Sequence, residues 1–142
     1  DQAITLECNL PFLGANEKNI AYRAALAMQE AYGLSGFHIR LYKKIPIAAG
    51  MAGGSADAAG VIRGLNRLFD LGLSLEEMMQ QGEKLGSDIP YCLLGGTCLA
   101  TGRGACCGGK AQFRYFYTMV LCAVLAGNSE RNGRYSRHDA GD

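Results

Sequence analysis

Hydrophobic and polar residues alternate along FHIRLYK at 37–43, with Phe37, Ile39 and Leu41 on one side and His38, Arg40 and Tyr42 on the other. That period of two predicts a half-buried β-strand. The period becomes helical on either side. Upstream, Ile20, Ala24, Ala27 and Met28 share one face of a helix predicted over about 17–32, with Asn16 as its N-cap and Gly33 as its C′ stop. Downstream, Ala58, Ile62, Leu65 and Phe69 share one face of a helix over 56–69. SLEE at 74–77 has the form of a capping box, the Ser74 hydroxyl accepting from the Glu77 N–H while the Glu77 carboxylate reaches back. It opens a helix that Gly86 closes. YCLLGGTCLATG at 91–102 is apolar, broken by Gly95 and Gly96, and reads as a strand or hairpin. The order is helix, strand, loop, helix, helix, strand, which predicts an α+β fold, a mixed α/β two-layer structure.

The 142 residues suffice for one domain with a single modest core, and a hydrophobic content of 49% with 19% charged residues is ordinary for a globular protein. The longest apolar run, MVLCAVLAG at 119–127, is too short for a membrane span. There is no basic-then-apolar start of the signal-peptide kind, so a cytoplasmic protein without membrane association is the expectation. The six cysteines lack CxxC spacing and the only histidines are His38 and His138, which points to reduced buried thiols and away from a zinc site. A net charge of +1, no basic stripe and no Trp argue against nucleic acid as a partner. The charge is unevenly spread: residues 1–102 carry a net −2, and residues 103–142 a net +3 with three of the six cysteines. The last sixteen residues, GNSERNGRYSRHDAGD, hold one bulky apolar side chain, Tyr135, so disorder is expected over 127–142.

Between strand and helix the sequence clears its side chains. IPIAAGMAGGSADAAG at 45–60 contains four glycines and six alanines. Such a loop exposes several backbone N–H groups at the positive end of a helix dipole, an arrangement that binds phosphate, and larger side chains would hold the oxygens beyond hydrogen-bond reach. Ser55 adds a hydroxyl at the helix start, and Asp57 is expected in the first turn. The competing explanation is that small residues here serve only close helix–strand packing. GxxxxGK[ST] is absent, because no Lys follows the glycines, and so is GxGxxG, which disfavours both a Walker A loop and a dinucleotide-binding turn.

KKIPIAAGMAGGSADAAG at 43–60 resembles the P-x-x-x-G-L-x-x-x-S phosphate loop of the GHMP kinases. Within that family the Gly-Gly-Ser insertion and the following Asp-Ala-Ala are similar to the branch that acts on cytidine diphosphate methylerythritol in non-mevalonate isoprenoid biosynthesis. The resemblance extends through NEKNIAYRAA at 16–25, LNRLFDLGLSLEEM at 65–78 and LGSDIPYCLLGGTCLATGRG at 85–104, covering about residues 1–104. It implies part of the N-terminal domain of that family, of the ribosomal protein S5 domain 2-like fold, and an ATP-dependent kinase with Mg²⁺ and a small-molecule alcohol substrate. The loop of Pro46, Ile47, Ala48, Ala49, Gly50, Met51, Ala52, Gly53, Gly54, Ser55 and Ala56 would wrap the ATP phosphates. Asn19 and Lys43 match positions near the nucleotide. Asp88 in LGSDIP matches the catalytic aspartate, which would take the proton of the substrate's 2-hydroxyl; a partly desolvated carboxylate there would have the raised proton affinity a base needs. Ser55 and Asp57 are the candidate contributors to the metal shell. A plain turn or cap role for Asp88, a non-catalytic nucleotide- or anion-binding module, and a GHMP kinase for another small alcohol are the alternatives.

The sequence departs from the family pattern in four places. Met51 stands for Leu, and Ala56 for a second serine. The family's opening segment, with its first strand, a lysine in a Pro-Ala-Lys-like motif and a Tyr-His pair of the cytidine pocket, has no counterpart in DQAITLECNLPF. Beyond Gly104 the likeness stops, where the family continues to a ferredoxin-like subdomain. Residues 105–142 are therefore expected to be a divergent segment, from a shifted frame or a foreign tail, and the chain a fragment with exposed sheet edges and very low turnover.

Overall fold

The computed structural model describes residues 3–48, 50–95 and the strand backbones 98–101, 105–108 and 123–126. The expectations for 127–142 and for loop residue Ala49 lie outside these residues. The elements run β1 (Ile4–Cys8), α1 (Ile20–Tyr32), β2 (Phe37–Leu41), α2 (Gly53–Leu68), α3 (Leu75–Glu83), α4 (Ile89–Leu94), β3 (Cys98–Thr101), β4 (Ala105–Gly108) and β5 (Ala123–Ala126). This is the expected mixed α/β architecture. One sheet has the order β1-β2-β5 and a separate two-stranded ladder joins β3 to β4. β1 runs parallel to β2, pairing Ile4 with Phe37 through Cys8 with Leu41, and β5 runs antiparallel on the other side of β2.

The alternation in β2 is realised: Phe37, Ile39 and Leu41 are buried. The opposite face carries a polar cross-strand network, with Thr5 Oγ1 2.7 Å from His38 Nδ1 and Glu7 Oε2 3.3 Å from Arg40 Nε. The apolar face is covered by α1 and α2. These helices approach closely through small residues, Ala21, Ala24 and Ala25 on one and Ala58 and Ala59 on the other, while Met28, Val61, Ile62 and Leu65 fill the space between. α3 and α4 pack on α2, and Phe69 meets Phe37 edge-on with ring centroids 5.8 Å apart. No described helix is long and apolar enough to cross a membrane.

Several boundaries differ from expectation. β1 was not anticipated, and β5 falls within the apolar run at 119–127, to which no element was assigned. α1 is capped by Asn19, whose side chain accepts from the Ala21 N–H, whereas Asn16 folds into the preceding turn and accepts from the Lys18 N–H at 3.0 Å. Its buried face is accordingly turned from Ile20 and Ala27 toward Ala21 and Ala25. Gly33 does end the helix in the left-handed conformation, φ 62°. α2 starts at Gly53, three residues early. The Ser74–Glu77 capping box forms as expected, but its helix ends at Glu83, before Gly86. Residues 91–94 are helical: α4 begins at Ile89 with Pro90 in its first turn, where the missing N–H costs nothing, and only 98–101 is strand. Of the cysteines whose side chains are described, Cys8 is a free thiol.

Candidate functional site

Between β2 and α2, residues 43–48 and 50–52 form neither helix nor strand. Ala48 (φ 58°), Gly50 (φ 67°) and Ala52 (φ 51°) all take the left-handed conformation. For the two alanines this costs about 1–2 kcal/mol each. Strain of this kind is held in place by surrounding structure and concentrates where backbone groups must face a ligand. Ala52 is the N-cap of α2 and offers no side-chain acceptor. Among the described residues no group accepts from the N–H groups of Gly53, Gly54 or Ser55. These amides stand at the positive end of a 16-residue helix.

Gly53 and Gly54 border a cleft of about 320 Å³. Its wall brings together Asn19, Lys43, Pro46, Ile47, Ala48, Gly50, Met51, Ala52, Gly53 and Gly54, ten of the residues expected to surround ATP. Leu13, Lys18, Ile20 and Asp57 complete it. Ser55 and Ala56, in the first turn of α2, are not among the residues that line it. Lys18 is an exposed cation that the sequence reading did not single out; its position one residue before Asn19 was the available signal. Asn19 is more constrained than expected, since it is buried, caps α1 through Oδ1 and donates through Nδ2 to the Gly14 carbonyl at 3.3 Å.

Lys43 and Asp57, expected near the nucleotide and in the first turn of the helix, form a buried pair. Asp57 is the fifth residue of α2, beyond its first turn, and its Oδ2 lies 2.5 Å from Lys43 Nζ. The two side chains are 3% and 5% exposed. Burial pushes the Asp57 carboxyl above its ordinary proton affinity, and the Lys43 ammonium opposes this by hydrogen bond and charge. Removing one partner of such a pair leaves an uncompensated buried charge, a loss of about 3–5 kcal/mol. Gly53 is small for a packing reason: a Cβ there would meet Ile45 Cγ2 at 2.9 Å and Lys43 Nζ at 3.1 Å.

The Mg²⁺ expected with ATP would find little support from protein ligands in this arrangement. Asp57 is already matched by a fixed ammonium, and a dication at its oxygens would stand beside that charge. Ser55 offers one hydroxyl, and among the described residues no group of three His, Cys, Asp or Glu side chains could hold a metal. Asp57 and Ser55 therefore do not fit a protein-built magnesium site; the phosphates and water would carry the ion.

Asp88 is set apart from the cleft wall. It is the N-cap of α4, exposed, and its side chain makes no cap hydrogen bond. The partial desolvation expected from its place beside an apolar segment is not realised, because Ile89 and Pro90 turn inward and leave the carboxylate in solvent. It still belongs to the same end of the molecule. The Cys92 thiol, on the next turn of α4, is pushed up to about 11 by burial and then by the nearby charges of Asp88 and Asp57. Ile20 is a shared neighbour, 3.2 Å from where a Gly54 Cβ would stand and 3.8 Å from one at Gly86. Arg63 of α2 further ties the helices by donating to the Leu93 carbonyl.

Residues 19–96 match the family described as GHMP kinases N terminal domain. A protein of Staphylococcus aureus (strain bovine RF122 / ET3-1) named putative 4-diphosphocytidyl-2-C-methyl-D-erythritol kinase is 53% identical over 105 residues, which are 73% of this chain and 37% of that protein. A 4-diphosphocytidyl-2-C-methyl-D-erythritol kinase of Lachnoclostridium phytofermentans is 54% identical over 102 residues, 71% of this chain and 35% of that protein. A crystal structure of 4-(cytidine 5'-diphospho)-2C-methyl-D-erythritol kinase superposes with a TM-score of 0.58 at 37% identity, over 73% of this chain and 37% of the other. The chain thus spans little more than a third of the length of the relatives it matches.

Proposed function

The chain belongs to the GHMP kinase family, and from that premise we propose that it carries the ATP-phosphate site of a kinase for the 2-hydroxyl of 4-(cytidine 5'-diphospho)-2-C-methyl-D-erythritol, in non-mevalonate isoprenoid biosynthesis. The observation that carries this reading is the strained turn whose amides at the start of α2 meet no acceptor among the described residues, with a lysine beneath it. The amides of 53–55 and the Lys43 ammonium bind the polyphosphate as a preorganised positive surface, and Leu13, Ile47 and Met51 give the cleft an apolar wall for the rest of the nucleotide. In the transfer, the substrate hydroxyl oxygen forms a bond to the γ-phosphorus as the bond to the β–γ bridging oxygen breaks. ADP leaves, and the hydroxyl proton passes to the Asp88 carboxylate.

Relatives of the same name support the substrate assignment, as does the match of LGSDIPYCLLGGT and GGSADAA. A cytoplasmic setting accords with soluble small-molecule substrates. The second reading, a nucleotide-binding module without chemistry, is favoured by one observation: Asp88 is exposed and does not line the cleft. ADP release coupled to a spectroscopic assay, with ATP affinity measured alongside, separates the two. On the kinase reading Asp88→Asn keeps ATP affinity within about twofold and lowers turnover by about 10²-fold or more. Equal turnover in both forms rejects Asp88 as the base. ATP binding with no transfer by either form supports the module, and absence of ATP binding rejects both.

A further inference from the structure

Lys43 is fixed at both ends. Asn9, just after β1, clasps its backbone: Oδ1 accepts from the Lys43 N–H at 2.6 Å and Nδ2 donates to the Lys43 carbonyl at 3.2 Å. Its ammonium meets Asp57 Oδ2 at 2.5 Å. Asp57 Oδ1 is buried and has no hydrogen-bond partner among the described residues, so this one ammonium answers the whole carboxylate. Both residues border the cleft, and a Cβ on Gly53 would stand 3.1 Å from the ammonium. A carboxylate on the wall of a phosphate site repels phosphate, so its presence there has to be explained by what it holds. A lysine is a flexible, strongly hydrated cation, and the positive end of α2 repels it. Unheld, it would turn to solvent.

We propose that Asp57 is a positioning residue for phosphate binding: it pins the Lys43 ammonium under the first turn of α2, so that ammonium and amides face the polyphosphate together. The proposal rests on reading the cleft as a nucleotide site. Asp57 acts through Lys43 and is not itself a metal ligand, which separates its effect from any dependence on Mg²⁺.

Two measurements on the 142-residue chain test it. Reductive dimethylation followed by mass spectrometry compares Lys43 with exposed Lys18 without any ligand. In the wild type Lys43 is modified at least about tenfold more slowly, and in Asp57→Asn, which preserves side-chain volume, the difference falls to about twofold or less. Equal rates in the wild type, a comparison that needs no variant, or a Lys43 still protected in Asp57→Asn overturns the proposal. ATP affinity is then measured with Mg²⁺ and in EDTA for the wild type, Asp57→Asn, Lys43→Met and the double variant. Asp57→Asn weakens ATP about tenfold under both conditions, and adds less than about twofold once Lys43 is Met. Unchanged or tighter binding in Asp57→Asn, an undiminished loss in the Lys43→Met background, or a loss confined to Mg²⁺ overturns the positioning role. A wild-type chain that binds no ATP overturns the nucleotide reading and this role with it.

Discussion

Gly53→Ala sets two local effects against each other, and the structure decides between them. Gly53 is the first residue of α2 and is not among the residues with positive φ, so alanine can adopt its backbone conformation. In an open helical site that exchange gains about 0.5–1 kcal/mol. Here the new methyl would stand 2.9 Å from Ile45 Cγ2 and 3.1 Å from both Ile45 Cβ and Lys43 Nζ. Ile45 is β-branched and stiff at χ1, and Lys43 is held by Asp57, so neither neighbour yields cheaply. Overpacking of this kind costs about 1–3 kcal/mol, which leaves a net loss of about 1 kcal/mol and, for a chain of this length, a Tm lower by about 3–4 °C. Because the relief lies in moving Ile45 or the ammonium, ATP affinity also falls, by about tenfold for one displaced charge-assisted hydrogen bond. Thermal unfolding followed by circular dichroism, with calorimetric titration of ATP, measures both. A variant with a raised Tm and unchanged ATP affinity would show that Gly53 is an ordinary helix residue and that the close approach of Lys43 is not part of the site.

Three further outcomes follow from other contacts. Gly82→Ala puts a Cβ 2.7 Å from Ile89 Cγ2 and 3.2 Å from Leu93 Cδ1, so it destabilises the α3–α4 contact by about 1–3 kcal/mol despite the higher helix propensity of alanine; a rise in Tm refutes that packing. The Cys92 thiol, raised from 9.0 to about 11, reacts with iodoacetamide about 100-fold more slowly at pH 8 than an unperturbed thiol, and its rate climbs until the pH passes 11; a plateau near pH 9 contradicts this. Glu77 is held below its ordinary value of 4.5 by hydrogen bonds from Ser74, so its charged form stabilises the fold above that pH and the contribution fades as the pH falls through the lowered value. Glu77→Gln is accordingly less stable than the wild type at pH 7, and the gap in urea midpoint closes in acid; a gap independent of pH contradicts the capping assignment.

What could be read from the sequence was what neighbouring residues decide among themselves. The alternation of β2, the αL stop at Gly33 and the Ser74–Glu77 box all depend on contacts within a few positions, and all form. α2 hides its start because Ala52 caps it through backbone conformation and not through a side chain. Asn16 and Asn19 are equal candidates for a cap until the turn at 14–19 is known, when Asn16 is used by Lys18. The short apolar run 89–94 suits helix or strand alike; Pro90 in a first helical turn was the overlooked signal. β1 is defined by its parallel partner 33 residues away, which periodicity in five residues does not reveal. The phosphate turn was legible as a gap in side-chain size. The Lys43–Asp57 pair and the Asn9 clasp were not, because each joins residues that only the β–α–β turn brings together. The burial of Lys43 was not foreseen and the expected desolvation of Asp88 is not found, since burial is a property of the assembled layers.

The central claim is that backbone amides at the start of α2, with Lys43 beneath them, hold a polyphosphate. Titrating ¹⁵N-labelled chain with ATP and following amide and lysine side-chain resonances tests it most directly. The account predicts that the largest shifts fall on Gly53, Gly54, Ser55 and the Lys43 ammonium, and that they saturate together with one affinity. Shifts centred elsewhere while these four stay unmoved would contradict it.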